Sequence, residues 1–144
     1  ELVGLQDFAE ARIDALSGGM KQRVALARVF CTNPSIILMD EPFGALDALT
    51  RSMLQTELLS IWREYEKTVM LITHSVQEAL VLANRVVIMT SRPGRIKLDI
   101  KVDMPYPRDS KSAEFRELEA EILDQLTDEI AKSYGGQSKT LTAD

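Results

Sequence analysis

The sequence predicts an α/β fold, a parallel sheet flanked by helices, on three observations. Ser35 to Met39 is a continuous apolar run of strand length that closes on Asp40, Glu41 and Pro42, the pattern of a strand buried on both faces of a parallel sheet. Thr68 to Thr73 is a second β-rich run and delivers His74. Between them Leu54, Leu58, Ile61 and Tyr65 recur at helical spacing. This order places Asp40, Glu41 and His74 at one carboxyl edge, where open α/β sheets hold their ligands.

The remaining elements follow in chain order. Leu2 to Leu5 and Phe8 suggest a short helix or turn, which leads through Ala11 to Ala15 into Leu16-Ser17-Gly18-Gly19-Met20-Lys21-Gln22-Arg23. Ser17 is suited to cap the helix that follows, and two glycines allow close approach of a phosphate. Free N–H groups and the positive dipole end of a first helical turn favour an anion. By itself the Ser-Gly-Gly turn is equally an ordinary helix cap. The helix spans about Met20 to Cys31, with Val24, Ala27, Arg28 and Cys31 on one face, and Asn33-Pro34 stops it.

Asp47 is placed to cap the long second helix, with Trp62 beside its buried stripe. Ser75-Val76-Gln77-Glu78 has the capping-box pattern and opens a helix to about Ala83. Arg85 to Thr90 reads as a third buried strand, Ser91 to Arg95 as a turn, and Ile96 to Val102 as a hairpin strand with one wet face. After Pro105 and Pro107, a last helix from about Ala113 to Lys132 carries Phe115, Leu118, Ile122, Leu126 and Ile130. Gly135-Gly136 is expected to end it, and the tail 135–144 is expected to be disordered.

Composition narrows the function classes. The 144 residues are 45% hydrophobic and 27% charged with net charge -5, as in one globular unit. The apolar runs are strand-length, so no direct membrane insertion is expected, and the N-terminus lacks signal-peptide character. The single Cys31 permits no internal disulfide. Scattered Lys and Arg argue against a nucleic-acid surface.

Taken together, these motifs resemble the ATP-binding subunit of an ABC transporter, over residues 1–103. Leu16 to Met20 is similar to the signature motif, Ile36 to Asp40 to the Walker B strand, and Gly44 to Asp47 to the D-loop. The resemblance implies a partial P-loop NTPase (RecA-like) sheet with the signature helix, followed by a hairpin and a helical extension at 104–134. It implies ATP and Mg2+ as ligands, with Asp40 on the metal. Glu41 would be the catalytic carboxylate that orients or deprotonates water, and His74 the switch histidine that senses the γ-phosphate. Ser17, Gly18 and Gly19 would touch ATP bound by a second ATP-binding subunit, and Asp47 would lie in a loop crossing that dimer seam. The other implied partner is a transmembrane permease subunit, with the ATPase cytoplasmic and peripheral on the inner face of the plasma membrane. Arg92-Pro93-Gly94-Arg95-Ile96 is most similar to the turn of nitrate, sulfonate and taurine importers.

The sequence departs from the common family pattern at Ser75, where aspartate usually follows the histidine, and at Gly44, where many members carry serine. No Gly-x-x-x-x-Gly-Lys-Ser/Thr occurs. The chain therefore reads as a fragment of an importer ATPase, expected to be inactive alone. In the family the P-loop strand lies between the Thr68 to Thr73 and Val86 to Ile88 strands, so two open edges are expected. Two other readings are kept: an ABC-type ATPase of soluble, non-transport function, and a phosphoacceptor or regulatory domain using Asp40.

Overall fold

The computed structural model describes residues 3–44 and 46–137, with side chains of the last helix described to residue 129. Two short 3-10 turns, Gln6–Phe8 and Ile13–Ala15, precede helix α1 (Gly18–Cys31). Strand β1 (Ile36–Asp40), helix α2 (Ala48–Tyr65) and strand β2 (Thr68–Ile72) follow, then α3 (Val76–Leu82), the strands β3 (Arg85–Met89) and β4 (Ile96–Lys101), and α4 (Ala113–Gln137). The chain divides into two compact units, Glu1–His74 and Ser75–Asp144.

In the first unit β1 and β2 pair in parallel, with Leu38 opposite Met70 and Asp40 opposite Ile72. Side chains alternate across a strand, and one face is covered: Ile37 and Met39 are buried. The other is open. Ile36 and Leu38 of β1 are 61% and 74% exposed, and Met70 and Ile72 of β2 are 58% and 52% exposed. This corrects the expectation of a β1 strand buried on both faces, because no described element covers that side.

Three contacts lay α1 alongside α2 in the same direction. A Cβ at Gly19 would stand 3.0 Å from Thr50 Cγ2, Arg23 pairs with Glu57 at 3.4 Å, and the rings of Phe30 and Tyr65 lie 5.8 Å apart. The N-termini of the two helices are thereby side by side. Leu54, Leu58 and Ile61 are buried as the α2 stripe predicts, but Tyr65 is exposed at the helix end. The buried residues of α1 are Leu26 and Phe30. The predicted face of Val24, Ala27, Arg28 and Cys31 instead lines an open apolar groove with Leu5, Phe8 and Ile13, since the helix turns its Leu26 face inward.

The second unit closes on itself. β3 and β4 form an antiparallel hairpin with a register irregularity at Ile88/Met89, and Thr90 N–H donates to the Arg95 carbonyl across the turn at 2.8 Å. Leu80, Val86, Ile88, Val102, Met104, Phe115 and Ile122 make one core, with Leu118 and Leu126 packed against it. Here too only one face of β3 is buried, since Val87 and Met89 are exposed. The Arg108 guanidinium bonds the carbonyls of Leu80 and Ala83 at the end of α3, and those of Met104 and Val102. A cation is favoured at a helix C-terminus, and the sequence offered no sign of this one.

α4 continues to Gln137, so Gly135-Gly136 does not end it: two helical glycines lower propensity by about 1 kcal/mol each and do not forbid helix. The side chain of Ile130 and residues 138–144 of the expected tail lie outside the described residues. Among the described residues β2 pairs only with β1 and β3 only with β4. Among these residues each pair therefore keeps open edges.

Candidate nucleotide site

Glu41 is fixed by backbone from both sides. Its N–H donates to the Ile72 carbonyl at 2.9 Å and its carbonyl accepts from Gly44 N–H at 3.2 Å. The first bond carries the β1–β2 ladder one residue beyond Asp40, and the second closes the turn Glu41-Pro42-Phe43-Gly44. That turn follows a common preference, with Pro second and Gly fourth, and Phe43 anchors it by burial. Between these ties Glu41 holds φ at +45°. For a non-glycine residue that conformation costs on the order of 1 kcal/mol, and it persists where the surroundings over-determine it.

The result is a carboxylate aimed at the end of the neighbouring strand. Glu41 Oε2 lies 2.8 Å from His74 Nδ1. An ionised carboxylate only accepts, so the proton between them sits on Nδ1, which leaves Nε2 available to an incoming group. Both side chains are open to solvent, His74 at 74% and Glu41 at 47%. Asp40, immediately before Glu41, shares the open face of β1 with Leu38. The strand end thus brings Glu41 and His74 into contact, with Asp40 next to Glu41 in the chain.

Ser17, Gly18 and Gly19 form a second group. Ser17 Oγ accepts from Met20 N–H at 3.3 Å and caps α1 as expected. The two glycines differ. A Cβ at Gly18 would meet nothing within 4 Å, so that position is open to a ligand, whereas one at Gly19 would crowd Thr50 Cγ2 at 3.0 Å. The second glycine therefore serves packing inside the chain as well as any phosphate. Asp47 Oδ1 accepts from Leu49 N–H at 3.1 Å and Thr50 N–H at 3.0 Å. These bonds, that of Thr50 first, hold its carboxyl below the usual aspartate range. Through Thr50 and Gly19 the Asp47 cap and the Ser17 turn are neighbours. Among the described residues no hydrogen bond or ion pair joins either of them to Asp40, Glu41 or His74.

Ser75 Oγ accepts from Glu78 N–H at 3.2 Å, so serine caps α3 in place of the usual aspartate. Among the described residues no group of three or more His, Cys, Asp and Glu side chains gathers to hold a metal. A single exposed carboxylate such as Asp40 fits Mg2+, which keeps several waters and takes other oxygens from phosphate. No helix among the described residues is long and apolar enough to cross a membrane.

Residues 1–44 match the family model for ABC transporters. An uncharacterised ABC transporter ATP-binding protein of Methanocaldococcus jannaschii is 55% identical over 133 residues, covering 92% of this chain and 50% of that protein. A taurine import ATP-binding protein of Roseobacter denitrificans is 48% identical over 95% of this chain and 54% of its own length. The chain thus spans about half the length of the curated relatives it matches. Among solved structures, a dimeric bacterial ABC transporter cassette superposes with a TM-score of 0.56 at 35% identity, covering 69% of this chain and 42% of that one.

Proposed function

Because the chain belongs to the family of ABC transporter ATP-binding proteins, we propose that it forms the signature-to-switch portion of an importer's ATPase. The Glu41–His74 pair at the β1–β2 strand end carries this reading. Glu41 orients or deprotonates the attacking water, a role for which a positioned base contributes about 10²-fold or more. His74, when protonated on both nitrogens, donates Nε2–H to the γ-phosphate while Nδ1–H stays on Glu41. Asp40 would hold Mg2+, which when bound neutralises phosphate charge. Ser17, Gly18 and Gly19 meet ATP presented by a second ATP-binding subunit, and Asp47 lies at the seam between the two.

Residues 1–103 form the ATPase part and 104–134 a C-terminal extension. The transported solute is of the nitrate, sulfonate or taurine type, on the likeness to the taurine import protein. The subunit works from the cytoplasmic side, bound to a permease. Without a P-loop lysine the 144-residue chain binds nucleotide weakly and turns over none by itself.

A chimera tests this reading: the P-loop-bearing half of the Roseobacter denitrificans taurine import protein fused ahead of Glu1. It is expected to hydrolyse ATP, and Glu41→Gln to abolish turnover while nucleotide binding persists. Hydrolysis that survives Glu41→Gln overturns the assignment.

A further inference from the structure

We propose that Thr50 is a positioning residue: one side chain sets the spacing between the Ser17-Gly18-Gly19 turn and Asp47, so that both reach the second subunit together. Its two branches serve different partners. The methyl group lies against Gly19, where a Cβ would stand only 3.0 Å from Thr50 Cγ2. The polar side of the residue belongs to Asp47, whose Oδ1 accepts from Thr50 N–H at 3.0 Å. The Thr50 side chain is a further hydrogen-bond donor to that carboxylate.

Neither partner has much room to yield. Arg51 ties the Asp47 loop to α2, its Nη2 donating to the Leu46 carbonyl and its N–H to the Asp47 carbonyl, both at 2.9 Å. Lys21 N–H donates to the Ser17 carbonyl at 2.9 Å and fixes the first turn of α1. Farther along the two helices the contacts are between long side chains, Arg23 with Glu57 and Phe30 with Tyr65. At the end that carries Ser17 and Asp47 the spacer is one methyl group against a bare Cα. A β-branched side chain is stiff at χ1, and with the hydroxyl engaged by Asp47 the methyl stays on Gly19. Serine would lack the methyl and valine the hydroxyl. This role rests on the reading that the Ser17 turn and Asp47 meet a second subunit.

Two measurements test it. In the 144-residue chain, Gly19→Ala is expected to lower the melting temperature, and to lower it less in the Thr50→Ser background, where the crowding methyl is gone. Thr50→Val should give no such relief. An equal loss in all three backgrounds overturns the contact and the proposal with it.

The Glu41→Gln chimera, expected to bind ATP without turning it over, gives the second measurement. Sedimentation reads the dimer that ATP draws together, and dialysis at concentrations below dimerisation reads ATP binding by the single subunit. Thr50→Ala is expected to raise the dimer Kd on the order of ten-fold, within the roughly 10²-fold that a misplacement of about 1 Å can cost. ATP binding by the single subunit should stay unchanged. Thr50→Ser should fall near Thr50→Ala, and Thr50→Val nearer the parent. If the parent dimerises and Thr50→Ala and Thr50→Ser dimerise equally well, the role of Thr50 alone is overturned. A matching loss of ATP binding by the single subunit overturns it too, since that marks a general lesion of the fold. A parent that forms no dimer with ATP overturns the reading of the Ser17 turn and Asp47, and the role of Thr50 falls with it.

Discussion

The second unit has the ordinary anatomy of a small fold, a hairpin and two helices around a continuous core from Leu80 to Ile122. The first unit holds every residue assigned to the nucleotide, yet leaves an apolar sheet face open at Ile36, Leu38, Met70 and Ile72. The difference is one of division of labour. Residues 75–129 are consolidated by their own packing, whereas residues 3–74 present the proposed site on a two-stranded sheet, and parallel sheets are normally covered on both faces.

Core truncation gives the largest expected contrast. Phe115 is fully buried, and Phe115→Ala should cost about 3–5 kcal/mol. Leu38, 74% exposed, should lose no more than about 0.5 kcal/mol as alanine. Urea unfolding followed by amide exchange reads both. A cost of 2 kcal/mol or more for Leu38→Ala would mean that the open face is covered in solution, and the contrast between the units would fail.

Arg108 comes next. Its guanidinium serves four carbonyls and stacks 4.2 Å from the Tyr106 ring centroid, while burial pulls its pKa below the usual arginine value. Arg108→Ala should cost about 2–3 kcal/mol, because buried carbonyls lose their donor. Arg108→Lys should recover only a fraction, since an ammonium cannot span four acceptors with a planar fork. Equal stability of the lysine and wild-type chains would show that charge alone suffices.

Within the first unit Gly18 and Gly19 sharpen the comparison between packing and the proposed chemistry. Gly19→Ala forces a Cβ onto Thr50 and should cost about 1–2 kcal/mol. Gly18→Ala meets open space and should leave thermal stability within about 0.5 kcal/mol of wild type or raise it. If both are neutral in melting experiments, the side-by-side placement of α1 and α2 is wrong.

Much of this was legible in the sequence because it is local. Ser17, Asp47 and Ser75 are caps recognisable from residue type and the helix that follows. The Glu41–His74 meeting followed from two strand-length runs ending in polar residues. Non-local facts were not legible. Which face of α1 turns inward, the pressure of Thr50 on Gly19 and the reach of Arg108 to α3 all depend on tertiary placement. The open faces of β1 and β3 belong here too: an unbroken apolar run says that a strand suits burial on both sides, not that both covers are present.

The smallest effect concerns the cap shared by both themes. Asp47 accepts from Thr50 and Leu49, and these bonds lower its pKa from the ordinary 3.8. A carboxylate depressed on folding stabilises above its unfolded value, and that contribution is lost as pH falls through the folded one. Asp47→Ala should therefore melt below wild type at pH 7, with the gap narrowing once the pH drops under 3.8 to the part that a neutral accepting oxygen supplies. Because the side chain is fully solvated, the gap should be small. Asp47→Asn keeps the accepting oxygen without the charge, so it should restore most of the melting temperature and lose the pH dependence. A pH dependence that survives in Asp47→Asn would place the titrating group elsewhere and leave Asp47 as a cap by geometry alone.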